Sequence, residues 1–227
     1  MQTTHLINIG LHVAAGTAAL VAGLGAMVVQ KRRARHTRYG RVFTRLVYIV
    51  ISTALFGVFV FRGNAFLFIL TLLSGYNCFS GIRAVRLAGA RPQYLDHLVA
   101  GGVMLAGAGY LYVLKREGFY WAPAVIYSTV GALFLVAGYD LLKRIQPLWF
   151  LQKAVLYEHS YKMVSAWSAL LSAFCGTMLP RYKPYSQLLP SAICIAYICF
   201  TFIRIAKHQY QQRHQPAMQK RPSNAMI

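Results

Sequence analysis

Acidic, basic and imidazole side chains inside apolar segments are the residues of this chain that could do chemistry. A charged group in the middle of a membrane helix costs roughly 3 kcal/mol or more unless it is paired or faces water. Most of these groups fall within about two helical turns of one boundary of the predicted helices, so several helices can contribute to one site. The candidates are Arg45, Asn77, Asp96, His97, Asp140, Glu158, His159 and Lys162.

Two of the chemistries that these residues permit use imidazole as a ligand. His97 and His159 lie at similar predicted depth on different helices and could supply both axial nitrogens of a haem b. Arg45, or arginines of the basic loop that contains His36, would bind the propionates. Alternatively, Zn²⁺ could bind three ligands and keep one open position. A remaining carboxylate would then serve as the base of a hydrolase acting on a lipid-like substrate. The possible zinc ligands are His36, His97, His159, Asp96 and Asp140.

The third chemistry is proton exchange in a proton-coupled carrier, in which Asp96, Asp140, Glu158 and the histidines take up and release protons. A purely structural alternative stays open as well. Glu158 and Lys162 stand in the favourable i, i+4 order on one helix and can simply pair. Asp96 and Asp140 can likewise pair with Arg45 or Arg83.

A second polar group occupies the first apolar segment. His5, Asn8 and His12 are spaced i, i+3 and i+7, so they share one face of a helix and form a polar stripe. No histidine or carboxylate of another predicted helix lies at matching depth, which disfavours a second haem there.

The elements that position these groups are apolar helices. Of the 227 residues, 57% are hydrophobic and 12% are charged, which is more apolar surface than a soluble domain of this size can bury. The sequence predicts an all-α polytopic transmembrane bundle over residues 1–206 and a flexible basic tail over 207–227. The seven predicted spans cover residues 5–29, 42–61, 65–83, 94–114, 123–142, 156–179 and 188–206.

The basic residues predict the orientation of this bundle. Seventeen of the 24 Lys and Arg residues fall in alternate loops and in the tail, and positive loops face the cytoplasm. The N-terminus is therefore expected outside and the C-terminus in the cytoplasm. Because the charge of +20 is confined to loops beside apolar spans, membrane lipids are the expected partners and nucleic acid is not.

Glycines recur at seven-residue spacing in three predicted spans, as Gly16 and Gly23, Gly102 and Gly109, and Gly131 and Gly138. Small residues at such spacing let helices approach closely in lipid, although they could also leave room for a flat cofactor. Two classes of protein are disfavoured. The last span has no lysine for a retinal Schiff base, and no Gly-rich phosphate loop is present.

Short fragments along the chain are similar to a family of small bacterial polytopic membrane proteins known as a domain of unknown function. The fragments are HVAAG at 12–16, HTRYGR at 36–41, NAFL at 64–67, SGY at 74–76, GIRA at 81–84, HSYKM at 159–163 and SAF at 172–174. The resemblance implies a helical bundle in the bacterial inner membrane and marks His12, His36 and His159. Its histidine pattern is loosely similar to haem-binding membrane cytochromes, which places a haem b or redox role slightly ahead of the hydrolase and the carrier.

Overall fold

The computed structural model describes residues 2–29, 33–61, 65–117 and 122–214, and these residues form seven α-helices and two short 3₁₀ turns with no strand. The all-α prediction is confirmed. The 3₁₀ turns cover Lys143–Ile145 and Pro180–Tyr182. The helices are α1 Gln2–Val28, α2 Arg33–Phe61, α3 Ala65–Leu87, α4 Tyr94–Glu117, α5 Pro123–Leu142, α6 Leu148–Met178 and α7 Tyr185–His214.

Proline and glycine set several of the helix ends. Pro123 opens α5 and Pro147 precedes α6, positions where the missing N–H of proline leaves no hydrogen bond unmade. After α3 the chain turns through Ala88 and Gly89, both with positive φ. A Cβ on Gly89 would lie 2.5 Å from the Cα of Gln152, so only glycine fits between this turn and the start of α6.

Six of the seven helices, all except α6, are long and apolar enough to cross a membrane. Large apolar side chains point outward along them, as Leu105 and Leu135 do with about three quarters of their surface exposed. This pattern fits a multi-pass membrane protein whose solvent is lipid. By contrast, α6 carries Lys153, Glu158 and Lys162 within its amino-terminal half.

The polar helix α6 lies inside the bundle, where it packs against α1, α3 and α7. Ser74 Oγ of α3 donates to the carbonyl of Ala166 (3.2 Å), and His159 Nδ1 contacts the carbonyl of Gly81 (3.0 Å). Since the numbers rise on one helix as they fall on the other, α3 and α6 run antiparallel. Ser172 of α6 pairs with Ser191 of α7 (3.0 Å), and these two helices also run antiparallel. The remaining neighbours of α3 are α2, α4 and α5.

Three apolar clusters hold these helices together. The first joins α3, α4, α5 and α6 around Ile69, Ala100 and Leu133, the second joins α1, α2, α3 and α6 around Ala19 and Val47, and the third joins α6 and α7 around Val164 and Cys194. In the second cluster the Trp167 indole lies across α1 and donates from Nε1 to the carbonyl of Leu20 (2.9 Å).

The predicted helices are shorter than the observed ones at their polar ends. Residues 33–41 extend α2, residues 148–155 extend α6, and residues 207–214 extend α7 into the predicted tail. The rest of that tail lies outside the described residues. The orientation of the termini stays a prediction.

The glycine pairs differ in what surrounds them. A Cβ on Gly23 would lie 2.3 Å from Trp167 Cδ1, whereas one on Gly109 would meet nothing within 4 Å.

We expect Gly23→Ala to lower the free energy of unfolding by about 1–3 kcal/mol through overpacking. Gly109→Ala should leave it unchanged or raise it by up to ~1 kcal/mol, because alanine favours the helix. Thermal unfolding in detergent compares them, and equal midpoints would contradict a close α1–α6 contact.

Candidate functional site

Four charged side chains meet at the end of the bundle where α5 ends and α6 begins, which we call the charged end. Asp140 of α5, Lys143 of the following turn, and Glu158 and Lys162 of α6 form what we call the buried ion network. Lys162 Nζ lies 2.6 Å from Asp140 Oδ1 and 3.5 Å from Glu158 Oε2. Lys143 Nζ lies 2.8 Å from Asp140 Oδ1 and also contacts Glu158 Oε2.

Two tyrosines complete the coordination of these carboxylates. The Tyr76 hydroxyl of α3 donates to Asp140 Oδ2 (2.7 Å), and the Tyr139 hydroxyl of α5 donates to Glu158 Oε1 (2.8 Å). Every carboxylate oxygen of the network therefore accepts at least one hydrogen bond. With two cations and two anions, the network is electrically neutral.

The network is almost inaccessible to solvent. The side chain of Lys162 is 1% exposed, that of Asp140 7% and that of Glu158 10%. Removing such charges from water costs several kcal/mol per ion, and the cost is offset only when geometry and hydrogen bonding are good. The network satisfies that condition, since both cations contact both anions.

Asp96 belongs to a neighbouring pair that is less deeply buried. Arg83 donates from Nε and Nη2 to its two oxygens (2.6 and 2.9 Å), and the Gln93 backbone N–H donates to Oδ2 (2.8 Å) at the start of α4. The side chains of Arg83 and Asp96 are 17% and 12% exposed. Of the pairings considered from the sequence, Asp96 with Arg83 and Glu158 with Lys162 are present, whereas Asp140 pairs with Lys143 and Lys162 instead of an arginine.

The network separates two cavities. A small polar cavity of about 40 Å³ lies on the side of α3 and the turn after it, with Ser80, Arg83 and Asp96 among its lining residues. That volume is enough for a few water molecules. A wider apolar groove of about 580 Å³ opens between α5, α6 and α7, lined by Leu135, Phe150 and Phe202. Glu158 and Lys162 line both.

A line of polar side chains follows α3 away from the small cavity. Thr71, Ser74, Asn77 and Ser80 succeed one another at three-residue spacing, and all are at least nine-tenths buried. Asn77 donates from Nδ2 to the carbonyl of Leu73 (2.9 Å). Within the described ranges, Asn77 Oδ1 and Ser80 Oγ have no hydrogen-bond partner, and buried polar atoms of this kind commonly bind water.

The histidines do not gather at the network. His36 and His159 lie together, with ring centroids 6.3 Å apart and ring planes at 76°. Their Nδ1 atoms contact the carbonyl oxygens of Ala26 and Gly81, each at 3.0 Å. His97 is half-buried and lines neither cavity of the charged end, and its Nε2 has no partner among the residues described. Arg45 is exposed on α2.

The polar stripe of α1 faces inward at the opposite end of the bundle. His12 Nδ1 lies 2.9 Å from Thr53 Oγ1 of α2, and Asn8 Nδ2 donates to the Thr53 carbonyl (3.1 Å). The His5 ring packs on Phe61 with centroids 4.5 Å apart. All three side chains of the stripe line a cavity of about 380 Å³, which we call the outer cavity.

Four residues of these sites were missed from the sequence: Lys143, Tyr76, Tyr139 and Thr53. Lys143 had a readable signal, because it stands three residues after Asp140 and i, i+3 pairs meet on a helix. As a cation in a predicted loop, Lys143 also belongs to the basic residues that predict the orientation of the bundle. The tyrosines and Thr53 gave no such signal, since their contacts depend on how separate helices are rotated.

Metal binding depends on which donor side chains the fold brings together. Within the ranges that the structure describes, no three His, Cys, Asp or Glu side chains converge as metal ligands. None of the four cysteines forms a disulfide bond. Comparison with protein-family models, with curated proteins and with solved structures gave no match, so the geometry alone carries the functional argument.

We expect Asp140→Asn to lower the free energy of unfolding by roughly 3–5 kcal/mol, because it leaves the Lys162 charge buried with a distant partner. The double variant Asp140→Asn/Lys162→Met should recover most of this loss, since it removes both charges. Asp96→Asn should cost less than Asp140→Asn, because Arg83 reaches solvent. Chemical unfolding in detergent measures all three. Wild-type stability in Asp140→Asn would show that the network does not hold α5 to α6.

Proposed function

We propose that this protein is a proton-translocating membrane carrier in which the buried ion network takes up and releases the transported proton. The observation that carries the proposal is the position of Lys162, an ammonium 1% exposed and held by two carboxylates within a bundle of apolar helices. Paired charges of this kind inside a membrane domain are characteristic of proton relays.

Proton uptake would act through the balance of charge in the network. When a proton from the small cavity binds Asp140 or Glu158, that carboxylate becomes neutral and its contact with Lys162 weakens. The network then holds one positive charge too many in a low-dielectric environment, which is unfavourable. Release of a proton on the other side, from Lys162 or from the carboxylic acid, restores neutrality, so uptake and release are linked.

The polar line of α3 offers a route between the two ends. Ser80 lines the small cavity and Ser74 lines the outer cavity, with the fully buried Asn77 between them. Neighbours at three-residue spacing on a helix lie ~5–6 Å apart at Cβ, a gap that one water molecule can bridge. Asn77 Oδ1 and Ser80 Oγ are acceptors at which such a water would bind.

The proposal includes the placement of the bundle in the membrane. With 31 residues, α6 is about 46 Å long and lies antiparallel to α3 and α7, which supports a seventh crossing. The charges of α6 are tolerated within the membrane because their side chains face the interior of the bundle. The basic loops favour a cytoplasmic charged end, as in a protein of the bacterial inner membrane.

We infer a second candidate function, haem b or metal binding, from the imidazole pair of His36 and His159. A ligating histidine usually fixes its other ring nitrogen on a carbonyl or carboxylate. Both rings do so through Nδ1, on Ala26 and Gly81, with centroids 6.3 Å apart. Two imidazoles at this separation suit axial ligation better than His97 and His159, the pair that the sequence favoured.

Proton translocation is tested with the purified protein in liposomes that trap a pH-sensitive dye, with a potassium diffusion potential as driving force. We expect wild-type proton flux several-fold above that of protein-free liposomes. Glu158→Gln should reduce the flux to background by removing one exchanging group, and Asn77→Leu should do so by interrupting the route. Arg86→Gln, which changes an exposed cation at the same end, should keep wild-type flux.

Monodisperse elution and a measured unfolding midpoint for each variant separate loss of function from loss of fold. Background flux in the wild-type protein at both signs of the potential would overturn the proposal. Wild-type flux in a folded Glu158→Gln variant would exclude the network as the exchange site, and wild-type flux in Asn77→Leu would exclude the α3 route.

The imidazole pair is tested by an absorption spectrum and elemental analysis of protein purified from haem-supplemented cells. If the pair binds haem, the protein should show a Soret band that disappears in His36→Ala and in His159→Ala and persists in His97→Ala. Colourless, metal-free protein would exclude this function.

A further inference from the structure

The outer cavity is bounded by α1, α2, α3 and α6 and has a volume of about 380 Å³. That is the size of a site for a small organic molecule. Most of its wall is apolar, including Ile9, Val50 and Phe174. Its nitrogen-bearing side chains, His5, Asn8 and His12, all belong to α1. The hydroxyls of Thr71, Ser74 and Thr177, which also line it, donate to backbone carbonyls.

The hydrogen bonds of Thr53 determine which ring nitrogen of His12 carries a proton. The Thr53 hydroxyl has a single proton, which it donates to carbonyls of its own helix, Ile49 at 2.8 Å and Val50 at 3.0 Å. We assign the Thr53 proton to these carbonyls, so Thr53 Oγ1 accepts from His12 Nδ1 (2.9 Å). His12 Nδ1 is the donor, so in the neutral ring Nε2 has the lone pair and is an acceptor.

Asn8 is oriented by α2 in the same way. Its Nδ2 donates to the Thr53 carbonyl (3.1 Å) and lies beside Gly57. One N–H of Nδ2 is engaged in this way, so Asn8 offers a ligand its Oδ1 as an acceptor and its second N–H as a donor. Asn8 and His12 are one helical turn apart and share a face.

His5 extends this polar face by one further turn. Its Nδ1 is buried and has no hydrogen-bond partner in the part of the chain that the structure describes. A buried polar atom without a partner costs about 1–3 kcal/mol, which a bound molecule or water would recover.

We propose that the outer cavity binds a neutral, largely apolar small molecule that bears a hydroxyl group, in the chemical class of phenols, quinols and hydrophobic alcohols. The hydroxyl would donate to His12 Nε2, and the apolar body would fill the space beside Val50 and Phe174. An anionic ligand does not fit, because none of the described residues that line the cavity is a lysine or an arginine. This inference is independent of proton translocation, since binding needs no movement of charge.

Binding is measured on the detergent-purified protein with β-naphthol and its methyl ether, which share one ring system and differ in the donor. We expect β-naphthol to bind about three- to tenfold more tightly than the ether, the range that one hydrogen bond gives. In His12→Leu this preference should fall to about one while the ether binds as before. His97→Leu, a histidine outside the outer cavity, should keep the wild-type preference.

The role of Thr53 gives an independent test with a third probe, naphthyl methyl ketone, which can only accept. Thr53→Val removes the acceptor that fixes the His12 proton on Nδ1, so the ring becomes free to donate and the preference of β-naphthol over the ketone should fall several-fold. Thr53→Ser should retain it. Equal affinity of the wild-type protein for the three probes, displacement of none of them by excess of another, or no binding at all would overturn the proposal.

Discussion

The contact between Lys162 and Asp140 is the constraint on which the arrangement of this bundle depends. An ammonium at that depth in α6 is tolerated only if protein surrounds it and carboxylates face it. The helix that carries it must therefore lie inside, against α3 and α7, and α5 must bring Asp140 and the following Lys143 to the same depth. The apolar helices then cover this interior from lipid. The one helix that is not among the six apolar candidate spans lies between α3 and α7 for this reason, although helices are usually assigned to a membrane by their hydropathy.

The two ends of the bundle differ in how far their polar groups satisfy one another. At the charged end every carboxylate oxygen already accepts a hydrogen bond from lysine or tyrosine. Such a closed set binds a proton more readily than it binds a molecule, because a new ligand would have to displace existing partners. In the outer cavity His12 Nδ1 and one N–H of Asn8 contact Thr53, and His5 Nδ1 has no partner among the described residues, beside several hundred Å³ of apolar space. An open set of polar atoms beside apolar space suits a small ligand that can hydrogen-bond to it.

The position of each helix along the chain was predictable from this sequence, and rotation about the helix axes was not. Apolar length located all seven helices. Six of the seven predicted spans lie in helices that are long and apolar enough to cross a membrane, and the span predicted over residues 156–179, in α6, does not. The i, i+4 spacing predicted that Glu158 meets Lys162. Which histidine faces which could not be derived, because position along a helix leaves its rotation relative to another helix undetermined. His97 and His159 have the same predicted depth, yet His159 lies beside His36. The helix ends were underestimated because hydropathy marks the edge of the lipid, whereas backbone hydrogen bonding continues into the polar turns.

The neutrality of the network limits how it can work. Two lysines and two carboxylates with 1–11% of their side chains exposed carry no net charge, so gaining one proton creates a buried positive charge that no partner offsets. Because the cost of that charge rises as the dielectric falls, the protonated state is short-lived unless a proton leaves, water enters or an anionic group approaches. A structural ion pair needs none of these and can be replaced by apolar residues with little loss. The small cavity beside Asp140 and the polar line along α3 are what a structural pair would not require, and in the proposed translocation they would supply the entry and the exit of the proton.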